Sequence, residues 1–173
     1  GRFALAVGAF EPRKNLGMAV AATGLVARRL GAPLPLVVVS REEPGPVEGA
    51  PHARRLGPLP DGELAALMTA ATAVLIPSLY EGFGLPLLEA MSCGAPVVAA
   101  RAGALPEVAG GAALLVDPLD HDGWAEALAR IAGDDALAAR LRSGGLARAR
   151  AFSWRASARA TLDILASVAE ARR

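Results

Sequence analysis

What most constrains this chain is a set of short apolar runs that show no alternation. Phe3 to Val7, Leu36 to Val39, Ala73 to Ile76, Pro96 to Ala99 and Ala113 to Val116 are uniformly apolar. Arg54 to Leu56 is weaker but leaves room for a further strand. A strand with one face in water alternates apolar and polar residues, so runs without alternation belong to a sheet covered on both faces. Helix-length segments separate them. Leu16 to Leu30 is apolar at helical spacing and is ended by Gly31 and Pro33. Asp61 reads as the N-cap of a helix from about Gly62 to Ala71. Pro86 suits the first turn of another that runs to about Cys93 and stops at Gly94. Residues 41–51, with Pro44, Gly45, Pro46 and Gly49, read as a surface loop. The remainder is helical, roughly Asp122 to Ala132, Asp135 to Arg150 and Trp154 to Ala171. Parallel strands need crossovers of this size, and the crossovers cover both faces. The expectation is an α/β fold, a doubly wound parallel six-stranded Rossmann-like sheet with helices on both faces.

Composition narrows the function. With 173 residues, one domain over 1–173 is expected. Eighteen basic side chains against 17 acidic ones leave no field for a nucleic-acid backbone. No apolar stretch approaches the ~18 residues of a membrane span. Gly1 to Leu5 has no leader pattern and reads as the first strand of a domain cut from something longer. A single cysteine, Cys93, excludes an internal disulfide and a Cys-rich zinc site, which fits a reducing compartment. The basic residues are 17 Arg and one Lys, Lys14. Where Arg has displaced Lys throughout, the surviving Lys is a candidate for a task that Arg performs badly.

Ligands of such sheets bind beyond the carboxyl ends of the strands, so the loops after the first and fourth strands matter most. A dinucleotide enzyme would show G-x-G-x-x-G after the first; this chain has Gly8-Ala9-Phe10-Glu11-Pro12-Arg13-Lys14-Asn15. Gly82-Phe83-Gly84 lacks the third glycine, with Leu87 in its place, so nicotinamide and flavin chemistry are disfavoured. Arg13 and Lys14 sit at a helix start, where cations oppose the helix dipole unless an anion is bound there. After the fourth strand, Glu81 precedes a glycine turn and Glu89 follows eight residues later inside a helix. Glu89 stands among Leu85, Leu87, Leu88, Ala90 and Met91. It is either a buried carboxylate that needs hydroxyl partners or the exposed face of an amphipathic helix.

These residues carry a resemblance. Gly8 with Glu11-Pro12-Arg13-Lys14-Asn15, Pro77-Ser78 before Tyr80-Glu81-Gly82-Phe83-Gly84-Leu85-Pro86, and Leu88-Glu89-Ala90-Met91 with Gly94 and Pro96-Val97-Val98 resemble the family 4 glycosyltransferases, glycosyl transferases group 1. Glu81 and Glu89 form the E-x7-E pair. The likeness continues through Pro106-Glu107-Val108 and Val116-Asp117-Pro118 to Phe152-Ser153-Trp154. It implies the C-terminal, donor-binding half of a GT-B fold, with the N-terminal domain of the same protein as its partner. It implies a retaining transfer of a sugar from a UDP- or GDP-sugar donor to an acceptor hydroxyl, with no cofactor and no bound metal. The acceptor is not identified. Lys14 is implied at the donor diphosphate, and Glu81 beside the transferred sugar, which makes Lys14 and Glu81 the catalytic candidates. Gly82, Phe83, Gly84 and Leu85 would hold diphosphate and sugar, Glu89 the ribose, and Leu56 and Gly57 would border the base. Many relatives carry Arg directly after the strand-one glycine; here it is Ala9, and Arg13 is the substitute candidate. A nucleotide-sugar epimerase and a non-catalytic nucleotide-sugar-binding module are the alternatives. The implied setting is cytoplasmic, with peripheral contact to the inner face of the membrane through the other domain as one option.

Other residues read as structural. His52 and His121 lie in loops without metal-ligand spacing, and Cys93 as a small apolar filler. Glu107 is either a cleft residue or a helix-start carboxylate. Arg140, Arg142, Arg148 and Arg150 read as a solvated helix face, and Trp154 with Leu162, Leu165 and Val168 as a stripe for core packing. In full-length relatives the last helix packs toward the other domain, which would leave part of that stripe exposed here.

Overall fold

The computed structural model describes residues 1–41, 47 and 49–171, so the loop expected over 41–51 lies largely outside the described residues. Strands β1 (Ala4–Val7), β2 (Leu36–Val39), β3 (Ala53–Leu56), β4 (Ala73–Ile76), β5 (Val97–Ala100) and β6 (Leu114–Val116) form one parallel sheet in the order β3-β2-β1-β4-β5-β6. Around it run α1 (Leu16–Leu30), α2 (Asp61–Ala70), α3 (Leu85–Ser92), α4 (Leu105–Ala109), α5 (His121–Gly133), α6 (Asp135–Ala149) and α7 (Trp154–Ala171). Helix α1 packs with α5, while α3 packs with α2, α4 and α6, so both faces of the sheet are covered. Strands β4 and β5 are buried at every position, and β3 and β6, the two edges, only partly. Non-alternating strands in a doubly covered sheet are what the apolar runs demand.

The register places the loops. Ala4 and Leu5 of β1 pair with Leu36 and Val37 of β2 on one side and with Ala73 and Val74 of β4 on the other. The chain therefore winds outward to β3, returns, and continues from β4. The order of strands reverses between β1 and β4, and the carboxyl ends of these two strands flank the crevice where doubly wound sheets take ligands. Trp124 of α5 is fully buried and its Nε1 donates to the Asp117 carbonyl at 2.9 Å, which closes the loop after β6 onto α5.

Several expectations need correction. Asp61 is the first residue of α2 rather than its cap; Pro60 takes the cap position without a side-chain bond, and the Asp61 carboxylate instead favours the positive end of the helix dipole. Asp120 and Asp134 are the capping side chains, each accepting at 2.9 Å from Gly123 and Leu137. His121 opens α5 and does not lie in a loop. Helix α4 is too short to show a period, and Glu107 is an exposed carboxylate in its first turn. Arg142 and Arg148 are not solvated. Arg142 donates to the carbonyls of Gly94 at 2.9 Å and of Thr69 and Ala71 at 3.3 Å, and Arg148 to Val108 at 3.0 Å and Glu107 at 2.8 Å. The ends of α2, α3 and α4 leave carbonyls without intrahelical partners, and these two guanidinium groups satisfy them. Trp154, Leu162, Leu165 and Val168 do not join the core: every residue of α7 is exposed, Trp154 by 80%. The faces of the sheet are already covered by the earlier helices, so the stripe has no surface of this domain left to pack on. Among the described residues no helix is long and apolar enough to cross a membrane.

Candidate active site

The loop after β1 turns back on itself through a single 3₁₀ turn, Pro12–Lys14, with Pro12 at its first position. Asn15 follows in the left-handed region, φ 49° and ψ 38°, which Asn tolerates better than most residues. Its Nδ2 donates to the Pro77 carbonyl at 3.2 Å and to the Pro118 carbonyl at 3.0 Å. The one Asn of the chain thus ties the loops after β1, β4 and β6 together. The Leu79 amide adds a bond to the Arg13 carbonyl at 2.8 Å. The Lys14 stem lies over Gly8, where an added Cβ would meet Cγ and Cδ at 3.7 Å.

These ties bring Arg13, Lys14 and Glu81 together across 67 residues of sequence. Lys14 Nζ donates to Glu81 Oε1 at 2.6 Å, and Arg13 Nη1 donates to Glu81 Oε2 at 3.3 Å and to the Tyr80 carbonyl at 3.2 Å. Arg13 Nη2 also reaches Glu11 Oε2 at 3.2 Å. Ser78 Oγ, buried, donates to Glu81 Oε1 at 2.8 Å. The side chains of Glu81 and Lys14 are 8% and 16% exposed, whereas Arg13 is 43% exposed. Burial raises the pKa of the Glu81 carboxyl, but hydrogen bonds from Lys14 and Ser78 and the charges of Lys14 and Arg13 outweigh it, so the carboxyl lies below its ordinary range. The Ala104 amide donates to the Glu81 carbonyl at 3.0 Å, which pins its backbone as well.

Glu89 does not belong to this cluster. It is exposed on α3 while Leu87, Ala90 and Met91 are buried, so the amphipathic reading holds and the buried one does not. Its charge, together with burial, raises the pKa of the Cys93 thiol one turn on; Cys93 itself is partly buried against the core. Gly82, Phe83, Gly84 and Leu85 form the turn into α3, with Gly84 as its N-cap and no acidic side chain in the first turn. The positive end of α3 therefore opens beside Glu81. Leu56 ends β3, its carbonyl accepting from the Ser40 amide at 3.1 Å, and Gly57 follows it, two strands away from Gly8. Phe83 stacks edge-on against Phe152, centroids 5.7 Å apart, and the Arg148 guanidinium lies 4.8 Å from the Phe152 ring centre. Beyond Phe83 an apolar cavity of about 390 Å³ is lined by Leu85, Leu88, Phe152 and Trp154; the ion-paired residues are not part of its lining. Ser78 and Asn15 have no assigned role in the sequence reading. A serine three residues before Glu81 and the uniqueness of Asn15 were the available signals.

Two exposed backbone turns, a helix start and two cations thus converge at the sheet's switch point, an arrangement suited to a polyanionic ligand. Comparison with known proteins agrees on the kind of protein. The O-antigen chain mannosyltransferase B of Escherichia coli is 39% identical over an alignment of 163 positions that covers 88% of this chain and 42% of that protein. The chain thus spans less than half the length of that relative. Sucrose-phosphate synthase from Thermosynechococcus elongatus superposes with a TM-score of 0.83 at 30% identity, over 98% of this chain and 46% of that one. The C-terminal domain of a glycosyl transferase group 1 family protein from Francisella tularensis shares the fold, with a TM-score of 0.73 at 22% identity over 86% of this chain and 85% of that domain. The family described as glycosyl transferases group 1 matches residues 1–134, and the chain belongs to that family.

Proposed function

We propose that this chain is the C-terminal, donor-binding domain of a retaining glycosyltransferase that moves a sugar from a nucleoside-diphosphate sugar to an acceptor hydroxyl. The observation that carries this reading is the convergence of Arg13 and Lys14 on Glu81 where the strand order reverses. When the bond from the anomeric carbon to the diphosphate breaks, negative charge develops on the leaving phosphate. Lys14, Arg13 and the amides at the start of α3 stabilise that charge, more strongly once a second domain closes the cleft against water. Glu81 lies beside the sugar, whose oxocarbenium-like character a carboxylate favours. Leu56 and Gly57, at the end of β3, border the base, and Glu89 reaches the ribose from the exposed face of α3. Relatives named mannosyltransferases make mannose the first sugar to try.

Calorimetric titration with UDP, GDP and their sugar conjugates tests this reading. Binding to the chain is expected, and Lys14→Ala, with its fold checked by circular dichroism, weakens it about ten- to a hundredfold, the worth of one charge-assisted bond to phosphate. A folded chain that binds no nucleoside diphosphate removes the reading.

A further inference from the structure

We propose that Glu81 occupies the donor's anion site when no ligand is bound, so that a bare nucleoside diphosphate must displace it, while a nucleotide sugar offers the displaced carboxylate new partners. This rests on the donor-binding reading above and adds a selectivity to it.

The geometry is that of a filled anion site. Lys14 Nζ to Glu81 Oε1, at 2.6 Å, is as short as an ammonium–oxyanion contact becomes, and Arg13 supplies a second cation to the other oxygen at 3.3 Å. Two cations, Arg13 and Lys14, face two carboxylates, Glu11 and Glu81, so the cluster is already neutral. The Lys14 side chain is only 16% exposed, and its stem is held over Gly8. An incoming phosphate therefore does not meet a free lysine; it competes with a carboxylate held in place by Ser78.

The two ligands differ in what they return. A bare diphosphate takes Lys14 and leaves a buried carboxylate with Ser78 and the longer Arg13 contact. That loss opposes binding, because an under-bonded buried charge is costly. A sugar on the terminal phosphate brings hydroxyl donors within reach of the displaced carboxylate. Glu81 then exchanges one donor for another. The consequence is a preference for the sugar-bearing donor over the diphosphate product, and faster release of that product.

The test measures the affinities of the chain for UDP, GDP and their sugar conjugates in wild type, Glu81→Gln and Ser78→Ala. Glu81→Gln is expected to bind the bare diphosphates about tenfold more tightly, with the sugar conjugates gaining less or losing affinity. Ser78→Ala keeps the charge but removes the donor that remains once Lys14 is taken, and is expected to weaken bare-diphosphate binding about threefold more than binding of the sugar conjugates. It keeps the proposal testable where Glu81→Gln fails to fold. Unchanged or weaker diphosphate binding in Glu81→Gln, unchanged diphosphate binding in Ser78→Ala, or an equal effect on diphosphate and sugar conjugate in either variant overturns the proposal while leaving the donor-binding reading intact. Absence of nucleotide binding in every form overturns both.

Discussion

The tightest contact behind the site is made by a glycine, and it offers a sharp perturbation. Gly103 lies in the loop between β5 and α4 with φ +54°, and a Cβ placed there would lie 2.5 Å from the Glu81 carbonyl oxygen and 2.9 Å from its amide nitrogen. A carbon and a carbonyl oxygen approach no closer than about 3.3 Å, so Gly103→Ala forces the two backbones apart by about 0.8 Å. Neither neighbour is the flexible end of a side chain. The adjacent Ala104 amide is bonded to the same Glu81 carbonyl, so the displacement also breaks that bond and moves the carboxylate that Arg13 and Lys14 hold. Gly111→Ala is the matched control, because its φ is +84° but nothing lies within 4 Å of the added Cβ. The left-handed conformation costs a non-glycine residue about 1–2 kcal/mol in both variants. Overpacking adds about 1–3 kcal/mol at Gly103 alone. Gly103→Ala therefore loses about 2–5 kcal/mol of a total near 5–15 kcal/mol, and Gly111→Ala about 1–2 kcal/mol. Urea unfolding separates them by a midpoint lower by about 1 M in Gly103→Ala. On the proposed function, calorimetry is expected to show weakened nucleotide binding in that variant only. Equal midpoints and equal affinities in the two alanine variants would refute the claim that Gly103 seats Glu81.

Two further outcomes follow from the same cluster. The Glu81 carboxyl is depressed below its ordinary value of 4.5, so the unfolded chain binds the proton first on acidification. Its contribution to stability is complete above that value and is lost as the pH falls below it; urea midpoints taken from about pH 6 down to about pH 3 fall more steeply for wild type than for Glu81→Gln. Phe152 links the turn before α3 to α6 through Phe83 and Arg148, and a double-mutant cycle of Phe83→Leu with Phe152→Leu is expected to show a coupling of about 0.5–1.5 kcal/mol.

What the sequence discloses and what it hides divide along a physical line. Burial of both sheet faces writes itself into each strand separately, so Ala73 to Ile76 and Leu36 to Val39 are legible within four residues and their observed bounds match. The individual chemistry of Arg13, Lys14 and Glu81 is legible too, because each is a charge at the end of an apolar run. Their meeting is not, since it depends on β1 lying beside β4, a property of the strand order and not of either loop. Glu89 is a case the sequence leaves open. Its sequence neighbours are apolar, yet each helical residue turns about 100° from the last, so Leu87, Ala90 and Met91 face inward while Glu89 faces out. Adjacency in sequence says little about burial in a helix; within α3 the relevant neighbours are Leu85, Pro86, Ser92 and Cys93. The arginines of α6 misled for a related reason. Arg142 and Arg148 are answered by carbonyl ends of α2, α3 and α4, elements far from them in the chain, and an unsatisfied carbonyl leaves no mark on the sequence. The same holds for Glu81. Ser78 lies on its own loop, but the two cations that help keep it ionised there come from the loop after β1.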